Sequence, residues 1–213
     1  MLIFCNNFFS NEGMEFVVAV KSQHCYALIQ KNGTQSLKAL TRSKPSQYHL
    51  VGIEYLIEQQ ISSITVFVRE PIQRVLSGIA TQMKIYGFTE AALDNLLNKR
   101  ETFFVYDGHT IPQFWFLLKL SKAKNFLFDI KPLADLHKVD SDMPIINKNK
   151  KIINLTNSNI LERLKHFYTE DIVLHNQFVG KSCHINDIIE QIKLETNFIK
   201  DLQQYRYELT YLL

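Results

Sequence analysis

Ile64–Ile79 reads ITVFVREPIQRVLSGI, and the architecture turns on this stretch. Ile64 to Val68 is a nearly continuous apolar run, the pattern of a strand buried on both faces of a sheet. Pro71 then suits the first turn of a helix, where its missing amide hydrogen costs nothing. Along that helix Ile72, Val75, Leu76, Ile79 and Met83 recur at helical spacing and form one core-facing stripe. Arg74 and Ser77, three residues apart, are expected together on the opposite side. Arg69 falls at the strand's end, where open α/β sheets place their ligands. A guanidinium there grips a phosphate through two parallel bonds, and Ser77 adds a donor. Taken singly, either arginine is better explained by solvation or by pairing with a carboxylate such as Glu70.

Working upstream, CYALI (Cys25 to Ile29) is apolar and β-leaning, and Ser36 to Leu40 fits a first helical turn. Gln30 to Gln35 is then a strand-to-helix loop. Gly33 allows a tight turn and close backbone approach to an anion. The amides of Thr34, Gln35 and Ser36 are helix-start donors backed by the helix dipole. Lys31 adds a mobile cation, and the Thr34 and Ser36 hydroxyls add donors. An ordinary βα connection in which Gly33 merely makes the turn explains this loop equally well, because short glycine motifs are weakly specific.

Together the two segments resemble the paired cofactor signatures of sulfotransferases that use 3'-phosphoadenosine-5'-phosphosulfate (PAPS). That family's 5'-phosphosulfate loop commonly reads Pro-Lys-x-Gly-Thr-Thr-Ser-Leu. It is matched by Gln30-Lys31-Asn32-Gly33-Thr34-Gln35-Ser36-Leu37. Its 3'-phosphate element, Arg-Asp-Pro-x-x-Arg-x-x-Ser-x-Tyr, is matched from Arg69 to Ile79. The departures are Gln30 for Pro, Gln35 for the second Thr, Glu70 for Asp and Ile79 for Tyr; none removes the lysine, arginine or serine expected to hold phosphate. Three further segments resemble the carbohydrate branch, heparan sulfate 2-O-sulfotransferases in particular. Tyr106 to Gln113 is similar to Asp-x-His-x-x-Pro-Gln, Tyr168 to Leu174 to Tyr-x-x-Asp-x-x-Leu, and Asn125 to Leu136 to a later strand and short helix.

The resemblance implies sulfuryl transfer from PAPS to an acceptor hydroxyl, in line, with a histidine base and no metal. It implies cofactor contacts from Lys31, Asn32, Gly33, Thr34, Gln35, Ser36, Arg69 and Ser77, with Lys31 also stabilising the departing 5'-phosphate. For the base, His49 precedes the Ile64 strand much as the catalytic histidine does in heparan sulfate 2-O-sulfotransferases, and His109 is the second choice. His137, His166 and His175 sit in helical patterns, where packed or exposed histidines are the ordinary occupants. Two other functions stay open: a P-loop kinase or NTPase, and a non-catalytic nucleotide-binding protein. Against the first, the loop lacks the Gly-Lys-Ser/Thr ending that positions phosphate and magnesium.

Composition bounds the rest. At 213 residues, 46% hydrophobic and 21% charged, the chain fits one globular domain. Its core is expected over about 15–178 and a helical tail over about 184–213. A formal charge of +3 is too small to argue for nucleic acid as a partner. Cys5, Cys25 and Cys183 are odd in number and scattered, which points to a reducing compartment and away from a disulfide framework. A zinc site from His24-Cys25 and Cys183-His184 matches no ligand spacing. The apolar runs are too short for a membrane span, and MLIFCNNFFS makes a poor signal peptide. The expectation is a cytoplasmic enzyme of bacterial or viral type.

Alternating strands and helices argue for a central, mostly parallel sheet flanked by helices. The resemblance implies that this is a P-loop-like three-layer sandwich. Glu15 to Val20 is expected as a hairpin partner or neighbour of the CYALI strand. Phe103, Phe104, Tyr106, Phe114 and Trp115 are expected either as a sugar-stacking wall or as aromatic core. Lys148, Lys150 and Lys151 form a basic run better read as solvated loop than as an acceptor contact. In the tail, Ile188, Ile192, Ile199, Leu202 and Leu209 approximate a heptad seam within one long helix. Such a seam serves a homodimer or folds back on its own domain.

Overall fold

A computed structural model describes residues 14–29, 32–87, 89–97, 110–143 and 158–195. The chain enters through β1 (Phe16–Ala19) and β2 (His24–Ala27), joined by a four-residue turn in which Gln23 takes φ 54°. So short a link cannot cross over the sheet, so the two strands pair antiparallel, Phe16 opposite Ala27. There follow α1 (Thr34–Ser43), β3 (Tyr48–Val51), α2 (Ile53–Glu58), β4 (Ser63–Val68) and α3 (Pro71–Tyr86). Next come α4 (Glu90–Leu97), α5 (Gln113–Ala123), β5 (Leu127–Pro132) and a 3₁₀ segment (Leu133–Lys138). The described chain closes with α6 (Ser158–Phe167), α7 (Thr169–Phe178), β6 (Ser182–Cys183) and α8 (Ile185–Glu195).

These strands form one six-stranded sheet in the order β3-β1-β2-β4-β5-β6. The expectation of a mostly parallel sheet is corrected. Only β2/β4 and β4/β5 are parallel, whereas β1/β2, β1/β3 and β5/β6 are antiparallel. The four-residue turn after β1 makes β2 antiparallel to it, and the edge strands β3 and β6, four and two residues long, are too brief to register as strands in sequence.

Helices cover both faces. On one, Val18, Cys25, Val66, Ile64 and Phe128 meet Ile53 and Leu56 of α2, Phe114 and Leu117 of α5, Val173 and Leu174 of α7, and Ile188 and Ile192 of α8. On the other, Val17 and Phe67 pack beneath Leu37 and Leu40 of α1 and Leu136 of the 3₁₀ segment. β4 is therefore buried on both sides from Ile64 to Val68, as its nearly continuous apolar run requires. A third cluster joins Val75 and Ile79 of α3 to Leu93 of α4 and to Ile160 and Leu164 of α6, with Ile72, Leu76 and Met83 against it. The stripe read from the sequence is thus the face α3 buries.

Phe114 belongs to the core, while half-buried Trp115 packs between two of the clusters. Phe103, Phe104, Tyr106 and the basic run from Lys148 to Lys151 lie outside the described residues. In the tail, Ile185, Ile188 and Ile192 are buried against the protein's own core, and the seam beyond Glu195 lies outside the described residues. His24-Cys25 and Cys183-His184 are carried by β2 and β6, with β4 and β5 between them. Among the described residues, no helix is long and apolar enough to cross a membrane.

Candidate functional site

The two anion-loop candidates emerge at the same end of the sheet, and one side chain ties them together. Asn32, buried at the start of the first loop, donates through Nδ2 to the Phe67 carbonyl at 2.8 Å and to Gln113 Oε1 at 2.6 Å. Gln113 Oε1 also accepts the Arg69 amide at 2.9 Å, and its Nε2 donates to the Arg69 carbonyl at 3.0 Å. A single buried carboxamide therefore clasps the Arg69 backbone from both sides while holding the Asn32 loop.

Gln113 is in turn fixed by α7. Asp171 accepts the Gln113 amide and the Phe114 amide, each at 2.8 Å, and so caps the start of α5, where Pro112 offers no side-chain cap. Behind it Tyr168 donates its hydroxyl to the Thr110 carbonyl. Arg74 is wholly buried beside this carboxylate rather than on an outward face with Ser77, which corrects the helical-face expectation. Burial pushes the Arg74 guanidinium below its ordinary value and the Asp171 carboxyl above its own, and each one's charge opposes the shift of the other. Arg74 serves the framework, as the counter-charge of Asp171.

The starts of the two site helices differ in what they leave available. At α3, Glu70 accepts the amides of Ile72 at 3.1 Å and Gln73 at 2.6 Å, and Pro71 has no amide to satisfy. That helix start is closed, and Glu70 is engaged there. At α1, Gly33 is the N-cap with φ 80°, no side chain caps the helix, and no acidic residue occupies its first turn. The left-handed backbone suits glycine, and a Cβ would meet Leu136 of the 3₁₀ segment. The amides of Thr34 and Gln35 are the donors this end presents. The Thr34 hydroxyl is spent on the Ile29 carbonyl at 2.6 Å, and Asn32 on Phe67 and Gln113, so those two side chains shape the loop. Ser36 is buried and Gln35 exposed. Lys31 and His109 lie outside the described residues.

Arg69 stands half-buried at the mouth of a cleft of about 380 Å³ between the ends of β4 and β5. That volume is within the range of small-molecule sites, roughly 300–1,000 Å³. Val68, Arg69 and Glu70, then Gln73 of α3, form one wall; Leu133 and Ala134 of the 3₁₀ segment form another; His175 of α7 completes it. Desolvation lowers the Arg69 guanidinium from its ordinary value, with Glu70 opposing. Among the described residues no carboxylate lies within ion-pair distance of it. Leu133 also approaches Gly33, so the first loop borders this cleft. Ser77 falls one turn beyond Gln73 on the same side of α3.

His49 is elsewhere. It is exposed on β3, the outermost strand, opposite Val18. Three strand spacings, about 14 Å, separate β3 from β4. The histidine brought to the cleft is His175, which sequence reasoning set aside as a helix-face residue. Its only signal was position: it follows the Tyr-x-x-Asp-x-x-Leu segment directly, four residues after Asp171. Gln113 and Asp171 were visible as members of two separate short patterns, but their partnership was not. No protein-family model, curated protein or solved structure matches the chain.

Proposed function

We propose that this protein is a PAPS-dependent sulfotransferase acting on an acceptor hydroxyl, with carbohydrate as the acceptor class. The observation that carries the proposal is the Gln113 clasp. Two loops 37 residues apart in sequence, each suited to an anion, are held at one end of the sheet by the same side chain. A ligand with phosphates at both ends needs that arrangement; a one-phosphate ligand does not. The description of the fold as P-loop-like belongs to the same proposal, supported by the passage from β2 through the Gly33 turn into α1.

The residues present fit such a nucleotide. Arg69 is half-buried without a carboxylate partner among the described residues, beside a cleft of suitable volume. The uncapped α1 start offers amides and a helix dipole to a second anion. When bound, PAPS supplies an activated sulfuryl group and a phosphate leaving group. Arg69, with Ser77 further along α3, holds one phosphate end. The Thr34 and Gln35 amides, with Lys31, hold the other and stabilise the charge that develops there. Gln113 and Asn32 keep both loops in fixed relation, which is the positioning that in-line transfer demands. Because His49 stands on β3, three strand spacings from β4, His109 is the candidate to take the acceptor proton.

Calorimetric titration with 3'-phosphoadenosine-5'-phosphate, run beside ATP with magnesium, tests the proposal. Selective tight binding of the former, weakened at least tenfold in Arg69→Ala or Ser77→Ala, is expected. Preference for ATP, or binding indifferent to Arg69, overturns it.

A further inference from the structure

We propose that His175 is a second cationic contact for the phosphate held by Arg69, so that the two side chains clamp one phosphomonoester group of the nucleotide. This rests on the nucleotide reading above and adds a residue to which the sequence motifs give no role.

The argument is positional. His175 and Arg69 line the same cleft from opposite elements, α7 and the end of β4. Their relation is fixed by a chain of bonds: the Arg69 backbone to Gln113, the Gln113 amide to Asp171, and one helical turn from Asp171 to His175. His175 is half-buried, and its Nδ1 lies 3.4 Å from Asn176 Oδ1. For Nε2 the described residues supply no hydrogen-bond partner. The charged groups around it are few. Arg69 and Glu70 line the cleft from the β4–α3 junction, and the Glu70 carboxylate is committed to the α3 amides. Arg74 and Asp171 offset each other in the interior behind. The 3₁₀ side contributes Pro132, Leu133 and Ala134, none charged, and no residue of α5 or α8 lines the cleft. A dianionic ligand group entering here meets Arg69 at every pH and His175 as a cation only when its ring is protonated.

The sign follows. An anion beside His175 favours the imidazolium, so the His175 contribution to affinity is full at low pH and is lost as pH rises through the titration of the bound-state ring. The experiment compares wild type with His175→Gln and His175→Asn. Calorimetry with 3'-phosphoadenosine-5'-phosphate runs from about pH 5.5 to about pH 8.5, a span that brackets histidine titration. The ratio of wild-type to variant affinity cancels the ligand's own titration. It is expected to be about fivefold or more at the acid end and to approach one at the alkaline end, as befits a charge-assisted contact. Adenosine 5'-phosphate, which lacks the 3'-phosphate, is expected to give a flat ratio. A flat ratio with tightly bound 3'-phosphoadenosine-5'-phosphate overturns the clamp and leaves the sulfotransferase proposal standing. Failure of wild type to bind that nucleotide overturns both. Circular dichroism of the two variants identifies a folding defect, and either folded variant decides the outcome.

Discussion

Replacing Gln113 with leucine removes the clasp while nearly preserving volume, and its cost can be worked from the hydrogen bonds. The change strips the Arg69 amide and carbonyl of their partners at 2.9 and 3.0 Å. Asn32 Nδ2 keeps the Phe67 carbonyl, and Asp171 keeps both backbone amides, since these do not depend on the Gln113 side chain. Two orphaned backbone groups at about 1–3 kcal/mol each bracket the loss, and the half-exposure of Arg69 favours the lower part of that range. The expected destabilisation is about 3 kcal/mol. With a urea slope of roughly 3 kcal/mol per molar, the unfolding midpoint falls on the order of 1 M. Trp115, the single tryptophan, packs against two of the hydrophobic clusters and reports the transition by its fluorescence. Binding of 3'-phosphoadenosine-5'-phosphate is expected to weaken about tenfold or more, because the Arg69 guanidinium loses its fixed base. The Asn32→Ala, Gln113→Leu double-mutant cycle is expected to show coupling of about 1 kcal/mol. A Gln113→Leu midpoint indistinguishable from wild type would refute the claim that this carboxamide holds the two loops.

Arg74→Met leaves Asp171 buried without its counter-charge and is expected to cost about 3–5 kcal/mol in denaturant titration, far more than a surface arginine; a loss under 1 kcal/mol would show that the pair does not matter to stability. Gly33→Ala forces an alanine into φ 80° against Leu136 and is expected to cost about 1–2 kcal/mol and to weaken nucleotide binding through the displaced α1 start; thermal melts with and without nucleotide separate the two effects. Lys44 donates to both oxygens of Asp140 at 2.7 Å, and this holds the Asp140 carboxyl below its ordinary range. A depressed carboxylate stabilises the fold above its unfolded-state pKa of about 3.9, and that contribution is lost as pH falls through the folded value. Asp140→Asn should therefore flatten the acid limb of the stability profile without changing its slope near neutrality, which denaturant midpoints across pH will reveal.

Elements whose burial is written in their composition are legible from the residues alone. The β4 strand follows from a nearly continuous apolar run, Ile64 to Val68, interrupted only by Thr65 and buried throughout. The α3 stripe follows from helical spacing, and the helix start from Pro71. Gly33 marked a turn that does take a left-handed backbone. These are local properties, fixed by side-chain periodicity and by the conformational limits of proline and glycine. Sheet direction was not local: strands as short as Tyr48–Val51 and Ser182–Cys183 gain their identity from the neighbour that satisfies their backbone, so the mixed order could not be read ahead of it. Nor was the direction of Arg74, whose helical position allows either an outward or an inward guanidinium until Asp171, 97 residues on, supplies a buried counter-charge. The proposed site has the same division. Arg69 and the Gly33 loop could be put forward from the sequence because each is suited to an anion alone, whereas Gln113 joins them only through bonds spanning 81 and 44 residues. His175 reaches the cleft, and His49 stays on the outer strand, because tertiary packing sets which helix and which strand stand beside β4.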